Sequence, residues 1–243
     1  MCNNYLSKKL LRKFPKPESI VNVYSNDIFA DFYHKTTDKN GFYNDLEFFK
    51  NNLDKEELTI EFASGTGRIT TPLIEQGYHV LGIEYEKSMI DIMPENTKKN
   101  VIHSSIFDVE KNRQIYSKAK NFIIPATSIS LFPLNEVEML FEKLKSINDD
   151  FNIIFDIVDI KTLINEIPKK VINKDGIFYY INFSAENYII YNLYHKNSNT
   201  IGYSIKYNHS REVILNMLNK IGYVTNIYDV DNYSMIKAEY KNE

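Results

Sequence analysis

The segment Leu58 to Arg68, LTIEFASGTGR, limits what this chain can fold into more than any other. Apolar residues run into a turn carrying Gly65 and Gly67, and a helical stripe of Ile69, Leu73 and Ile74 follows. A second apolar run, Tyr78 to Ile83, ends on an acid, Glu84. Strand, glycine turn, helix, strand and terminal carboxylate form the layout of a nucleotide-type cofactor site. Bare backbone at a helix start approaches the ligand, and the carboxylate suits ribose hydroxyls. A dinucleotide site would carry a third glycine, and Thr70 stands there instead. No Gly-Lys-Ser/Thr follows the turn, which removes the P-loop.

What remains, Glu61-Phe-Ala-Ser-Gly-Thr-Gly67, resembles motif I of the class I S-adenosylmethionine (SAM) dependent methyltransferases, E/D-x-G-x-G-x-G, with Ala63 replacing the first glycine. SAM has no phosphate, so the turn need only let an amino-acid moiety lie against backbone, which small residues permit. The resemblance implies that Glu61, Ala63, Ser64, Gly65, Gly67 and Arg68 build the cofactor turn. It further implies that Glu84 holds both ribose hydroxyls, that Tyr85 borders the adenine and that Met89 packs on its face.

Three further segments carry the likeness. Asn100 to Asp108, NVIHSSIFD, sits where the family has an apolar strand and an adenine-binding aspartate. The resemblance implies that Ser105 takes the aspartate's place, with the Ile106 N–H donating to the ring, and Asp108 is the alternative. Asn121 to Leu131 resembles the strand and loop of motif IV, whose end faces the sulfonium and the incoming substrate. That implies cofactor contacts at Pro125 and Ala126 and a substrate contact at Thr127. The loop lacks the Asn/Asp-Pro-Pro-aromatic run of nucleic-acid amino-methyltransferases and looks more like that of small-molecule enzymes. Tyr24 to Tyr33 resembles the lead-in of the same small-molecule branch, in which the second tyrosine, here Tyr33, lies over the cofactor; Tyr24 becomes a candidate substrate contact.

The 243 residues, 43% hydrophobic and 25% charged, suit one globular domain with an elaboration. A net charge of -3 gives no bias toward polyanions, so no nucleic-acid partner is expected. The basic cluster Lys8, Lys9, Arg12, Lys13 and Lys16 reads as a solvated arm. The single cysteine, Cys2, excludes an internal disulfide. With no apolar run of membrane length and no signal segment, a cytoplasmic, membrane-free protein is expected, a monomer or homodimer. The five histidines are scattered, so no metal is expected.

Alternation of strands near 57–63, 79–84, 100–104, 121–125 and 152–158 with helices near 67–76, 87–94 and 135–147 predicts an α/β fold: a doubly wound, Rossmann-like, mostly parallel seven-stranded sheet. Helices are expected through 20–53, with stripes Ile28, Phe29, Phe32, Tyr33 and Phe42, Leu46, Phe49, Leu53. Asn135 with Glu138 reads as a capping pair, and Ser210 as the cap of a late helix ended by Gly222. Alternation at Ile177–Phe183, Tyr188–Tyr194 and Ile201–Tyr207 predicts three antiparallel strands inserted after the fifth core strand. Two closing strands are expected near 223–230 and 233–239. The division is thus an N-terminal helical arm and lid (1–53), a cofactor core (54–168), an antiparallel substrate subdomain (169–208) and a closing segment (209–243).

The resemblance extends to sugar- and peptide-modifying methyltransferases of natural-product pathways, where a small extra sheet helps build the substrate pocket. It implies transfer of a methyl group from SAM, leaving S-adenosylhomocysteine (SAH), to a small-molecule acceptor, an amine in preference to a hydroxyl. Two alternatives stay open: a catalytically idle SAM-binding scaffold and a protein methyltransferase. For proton handling the candidates are His209, ahead of the late helix, and Asp156 at the end of the fifth strand. Asp159 could hold a substrate amine, and Tyr179 belongs to the candidate aromatic wall.

Overall fold

The computed structural model describes residues 5–37, 44–185, 188–230 and 232–242. Phe42 of the second predicted stripe and Cys2 lie outside them. In chain order the elements are α1 (Lys8–Lys13), β1 (Ser19–Asn22), α2 (Asp27–Thr36), α3 (Asp45–Asn52), β2 (Thr59–Phe62), α4 (Thr70–Glu75), β3 (Val80–Glu84), α5 (Lys87–Ile92), α6 (Glu95–Lys98), β4 (Val101–His103), α7 (Arg113–Tyr116), β5 (Asn121–Ile124), α8 (Leu134–Lys145) and β6 (Asp150–Val158). There follow β7 (Lys169–Asn173), β8 (Gly176–Ala185), β9 (Tyr188–His195), β10 (Thr200–Tyr207), α9 (Arg211–Lys220), β11 (Val224–Val230) and β12 (Tyr233–Lys241).

The main sheet has seven strands in the order β11-β12-β6-β5-β2-β3-β4. It is parallel except for β12, which runs antiparallel to both of its neighbours. From β2 the chain first adds β3 and β4 on one side, then β5 and β6 on the other. The crevice at that reversal, outside the carboxyl ends of β2 and β5, is where open α/β sheets bind ligands. Strand parity sorts the core. Phe122, Ile153 and Phe155 face the cluster that takes in Leu140 and Phe141 of α8 and Ile214 and Leu218 of α9. Ile123 and Ile154 point the other way, against Phe49 of α3 and Leu73 of α4. The strands are buried on both faces, which is why they read as unbroken apolar runs.

The second sheet has five strands, β1-β10-β9-β8-β7. The three predicted strands form its centre as two hairpins, and β7 and β1 add its edges. Residues 19–22 are therefore strand, not the predicted helix. Ser19–Asn22 pairs in parallel with Thr200–Tyr203, and the N-terminal segment is woven into the small sheet. One face of this sheet carries Ile181, Tyr194 and Ile201 and is covered by Leu6 and Leu10. The other carries Phe178 and Leu193 and meets Phe29 and Phe32 of α2. At Gly202 a Cβ would come within 2.7 Å of the Phe29 ring, so a glycine is needed for α2 to seat on this face.

Two local expectations need correction. α8 starts at Leu134 behind Pro133, without a side-chain cap, so Asn135 lies inside the helix. Glu138 pairs with Lys220 of α9 instead of reaching back. Ser210 does cap α9, accepting the Val213 N–H. Among the described residues no helix is long and apolar enough to cross a membrane.

Candidate active site

At the reversal point the chain leaves β2 through three left-handed residues, Ala63 (φ 52°), Gly65 (φ 60°) and Gly67 (φ 80°). Ala63 bears a Cβ in a region that L-residues avoid, a strain of about 1–3 kcal/mol. At Gly67 a Cβ would also meet Thr71 Oγ1 at 2.8 Å, so a side chain there would have to displace Thr71 as well as adopt a left-handed backbone. The turn is pinned from the side by Glu84. One Glu84 oxygen accepts the Gly65 N–H at 2.7 Å, and the other accepts the N–H groups of Tyr85 at 2.9 Å and Glu86 at 2.8 Å. Burial pushes the Glu84 carboxyl upward and the three N–H donors oppose that shift.

Glu61 lies beneath the turn, buried, and accepts from the Thr70 hydroxyl. Thr70 thus uses the third-glycine position to satisfy a buried acid. Desolvation pushes Glu61 up to about 8, against the opposing effects of Thr70 and Arg68. Arg68 turns away to α3, where its guanidinium forks onto buried Asp45 at 2.8 and 2.5 Å. Ser64 is buried with its hydroxyl against β3, so that a Cβ at Gly82 would meet Ser64 Oγ at 2.7 Å; the hydroxyl has no hydrogen-bond partner.

A cleft of about 620 Å³ opens between this turn, the β5 end, α2 and the inner face of the small sheet. Of the sequence-predicted residues it is lined by Tyr24, Tyr33, Ala63, Gly65, Glu84, Tyr85, Met89, Ser105, Ile106 and Ala126. Tyr24 and Tyr33 meet edge to face with centroids 6.3 Å apart, and burial holds both hydroxyls above the usual tyrosine range. Glu61, Ser64, Gly67, Arg68, Pro125 and Thr127 stand behind the wall as its support. Asp108 is exposed, and its carboxylate is taken up by the Ser104 hydroxyl and the Ser105 N–H, which leaves Ser105 as the residue facing the cleft.

Several predicted residues fall elsewhere. His209 is buried behind the wall, its Nε2 held 2.7 Å from the Phe132 carbonyl and its ring stacked on Tyr207; burial pushes its imidazole down. Tyr179 faces the opposite side of the small sheet, packed with Phe14 under the Lys13 ammonium, because period-2 parity separates it from Phe178 and Tyr180. Asp159 is exposed and caps a short 3-10 turn through the Lys161 N–H at 3.0 Å. Asp156 is buried below the β5 loop, and its two oxygens accept the Thr127 N–H at 3.0 and 2.9 Å. Burial raises its carboxyl to about 6.

Sequence reasoning missed Lys206 and Tyr191. The alternation of Ile201, Tyr203, Ile205 and Tyr207 draws attention to the apolar positions of β10. The cleft, however, is lined along β10 by both parities, so that the polar positions Ser204 and Lys206 also reach it, together with Tyr191 from β9.

No family model matches the chain, and no curated protein matches it in sequence. Solved structures do. The CcbJ methyltransferase from Streptomyces caelestis superposes with a TM-score of 0.68 at 14% identity, covering 90% of this chain and 98% of that one. The sugar N-methyltransferase KedS8 from Streptoalloteichus sp ATCC 53650 gives 0.67 at 12%, covering 88% and 93%. A SAM-dependent methyltransferase from Clostridium acetobutylicum ATCC 824 gives 0.66 at 14%, covering 88% and 98%. The fold is that of the SAM-dependent methyltransferases. The match runs over most of both chains.

Proposed function

We propose that this chain is a methyltransferase that binds SAM in the cleft and methylates a small molecule, an amine in preference to a hydroxyl. The observation that carries the reading is the Glu84–Gly65 link. A carboxylate at the tip of β3 and a left-handed glycine on the β2 turn are joined at 2.7 Å, and both line the one cleft at the sheet's reversal point. The carboxylate has one acceptor position beyond its three N–H partners, on the oxygen that holds Gly65, open to a ribose hydroxyl. Met89, with its methyl 3.6 Å from the Cβ position of Gly65, offers an adenine an apolar face. Ser105 and Ile106 border the far end, and Tyr33 the near one.

SAM, once bound, supplies an electrophilic methyl on a sulfonium, and the protein's part is to place an acceptor against it. Such placement is worth about 7–11 kcal/mol of barrier. The acceptor half of the cleft is walled by Tyr24, Tyr191, Ser204, Asn182 and Lys206. This is a concave, largely apolar and aromatic space with a few polar groups, suited to a small molecule. In this use the small sheet is the acceptor wall, built from the 169–208 segment with β1 of the N-terminal segment at its edge. The likeness to a structure described as a sugar N-methyltransferase favours an amine.

The test is calorimetric titration with SAM and SAH, followed by mass spectrometry of incubations with SAM and paired amine and hydroxyl acceptors, amino sugars included. Saturable binding and a product 14 Da heavier are expected. Binding with no methylated product from any acceptor would favour the idle scaffold.

A further inference from the structure

The loop after β5 has an unusual backbone. Ala126 and Thr127 are consecutive left-handed residues, φ 61° and 55°, and neither is glycine. Such residues cost about 1–3 kcal/mol each and persist where the surroundings over-determine them. Here the determinants lie on two sides. From below, Asp156 accepts the Thr127 N–H with both oxygens. From the cleft side, Lys206 of β10 donates from Nζ to Thr127 Oγ1 and to the Ala126 carbonyl at 3.4 Å. Lys206 is half-buried in the cleft wall, and among the described residues no carboxylate forms an ion pair with it; Asp156 acts on it from behind the loop.

A lysine in this place has two chemical states to choose from. As an ammonium it would have three donors for two acceptors. As a neutral amine it has two N–H groups for those two acceptors and a lone pair left over. The cleft offers few other groups able to take a proton, and one of them, Glu86, sits at the start of α5 on the β3 side, away from the β5 loop. Glu84 is tied to three backbone N–H groups at the β3 tip. Tyr24 and Tyr191 hold their protons more firmly than usual because they are buried. No histidine or aspartate lines the cleft among the described residues.

We propose that Lys206 faces the methyl-donor end of the cofactor as a neutral amine, and that its lone pair takes the proton that the acceptor's nitrogen or oxygen gives up. The proposal rests on the SAM reading above, in which the end of β5 faces the sulfonium. In the step, the acceptor's N–H or O–H bond breaks and its electron pair stays on the nucleophile. The proton joins Nζ, and water entering the cleft later removes it. Burial pushes Lys206 down to about 8, with Asp156 opposing the shift. A bound sulfonium nearby would press it further in the same direction, as cationic neighbours do for other reactive lysines.

The two ligands SAM and SAH differ by one charge, so their affinity ratio reports the charge of whatever faces the sulfur. Calorimetry from pH 6.5 to 9.5 should show SAM gaining on SAH by roughly tenfold as Lys206 loses its proton, a factor worth about 1.4 kcal/mol. The ligands' own amino groups titrate in this range, so Lys206→Met provides the baseline. In that variant the lysine-dependent gain should vanish and SAM should be favoured at every pH. Lys206→Arg keeps a cation that cannot deprotonate, so SAM should stay disfavoured throughout, and this variant decides alone if the methionine variant fails to fold. A pH dependence unchanged in both variants would overturn the proposal while leaving the SAM reading intact. Failure of the wild-type chain to bind either ligand would overturn both. With an acceptor found in the mass-spectrometric assay, Lys206→Arg should lower kcat at least a hundredfold with little change in KM. A structural clamp would not separate the two in that way.

Discussion

Glu84 serves two partners with one side chain. It anchors the glycine turn through Gly65 and shapes the start of α5 through Tyr85 and Glu86, while its outer edge faces the cleft. Glu84→Ala removes charge-assisted bonds worth about 1.5–3 kcal/mol, so SAM affinity measured by calorimetry should fall about tenfold or more. Glu84→Gln should do no better, since its amide sets donors against backbone donors. Unchanged binding in both variants would remove the cofactor site from this cleft. Glu61 makes a separate prediction about pH. Burial raises it from 4.5 to about 8, so between those values the folded chain keeps a proton that the unfolded chain has released. Stability from this group is therefore full below pH 4.5 and declines as pH rises toward 8. Glu61→Gln has no such proton to lose, and its melting temperature should fall less between pH 5 and 8 than that of the wild type. Equal slopes would refute the protonated Glu61. At this scale the sequence was half legible. Gly65, Gly67 and Glu84 announce themselves by spacing, because only certain residues permit a left-handed turn and a carboxylate at a strand tip. Lys206 and Thr70 did not stand out, because their meaning depends on which face of a strand or helix the tertiary fold turns inward.

Elements are tied across the site by a buried ion pair. Asp45 opens α3 and Arg68 closes the cofactor turn, and the pair couples the N-terminal segment to β2 and α4. Asp45→Asn removes the buried carboxylate onto which Arg68 forks, and breaking such a buried pair costs about 3–5 kcal/mol. Chemical denaturation should show that loss, and SAM affinity should drop with it because the turn loses its support. A variant as stable as the wild type would mean that α3 is not coupled to the turn. Most elements were readable in the chain. Parallel strands buried on both faces appear as apolar runs, and α9 shows its cap and stop in Ser210 and Gly222. What escaped was non-local. β1 is a strand only because Thr200–Tyr203 pairs with it from 181 residues away, and nothing in Ser19–Asn22 itself announces that pairing. α8 starts one residue ahead of Asn135, directly behind Pro133, and Glu138 is drawn off to Lys220 of α9, so the Asn135–Glu138 box does not form.

At the level of the whole molecule, the cleft is a joint between two sheets. The main sheet contributes the β2 turn, Glu84 and the β5 loop, while the small sheet contributes Tyr191, Ser204 and Lys206. The Lys206–Thr127 bond crosses that joint directly, and beside it the Ser88 hydroxyl of α5 donates to the Tyr24 carbonyl, just past β1, at 2.6 Å. A ligand filling the cleft touches both sheets and should hold them together in one cooperative unit. At a hundred times its Kd, a ligand bound only by the folded state adds about 2.7 kcal/mol. In a chain of this size each kcal/mol raises the melting temperature by about 2–4 °C. Saturating SAH should therefore raise it by roughly 5–11 °C in a single transition, read by calorimetric or fluorescence melting. Two transitions, with only one of them moved by SAH, would show that the small sheet melts independently and that the acceptor wall is not closed onto the cofactor side. The Lys206→Met variant refines the test, because it cuts one of the bonds across the joint. Splitting of the transition in that variant without ligand, restored to one by SAH, is the expected signature of a cleft whose two walls are held in place by what they bind.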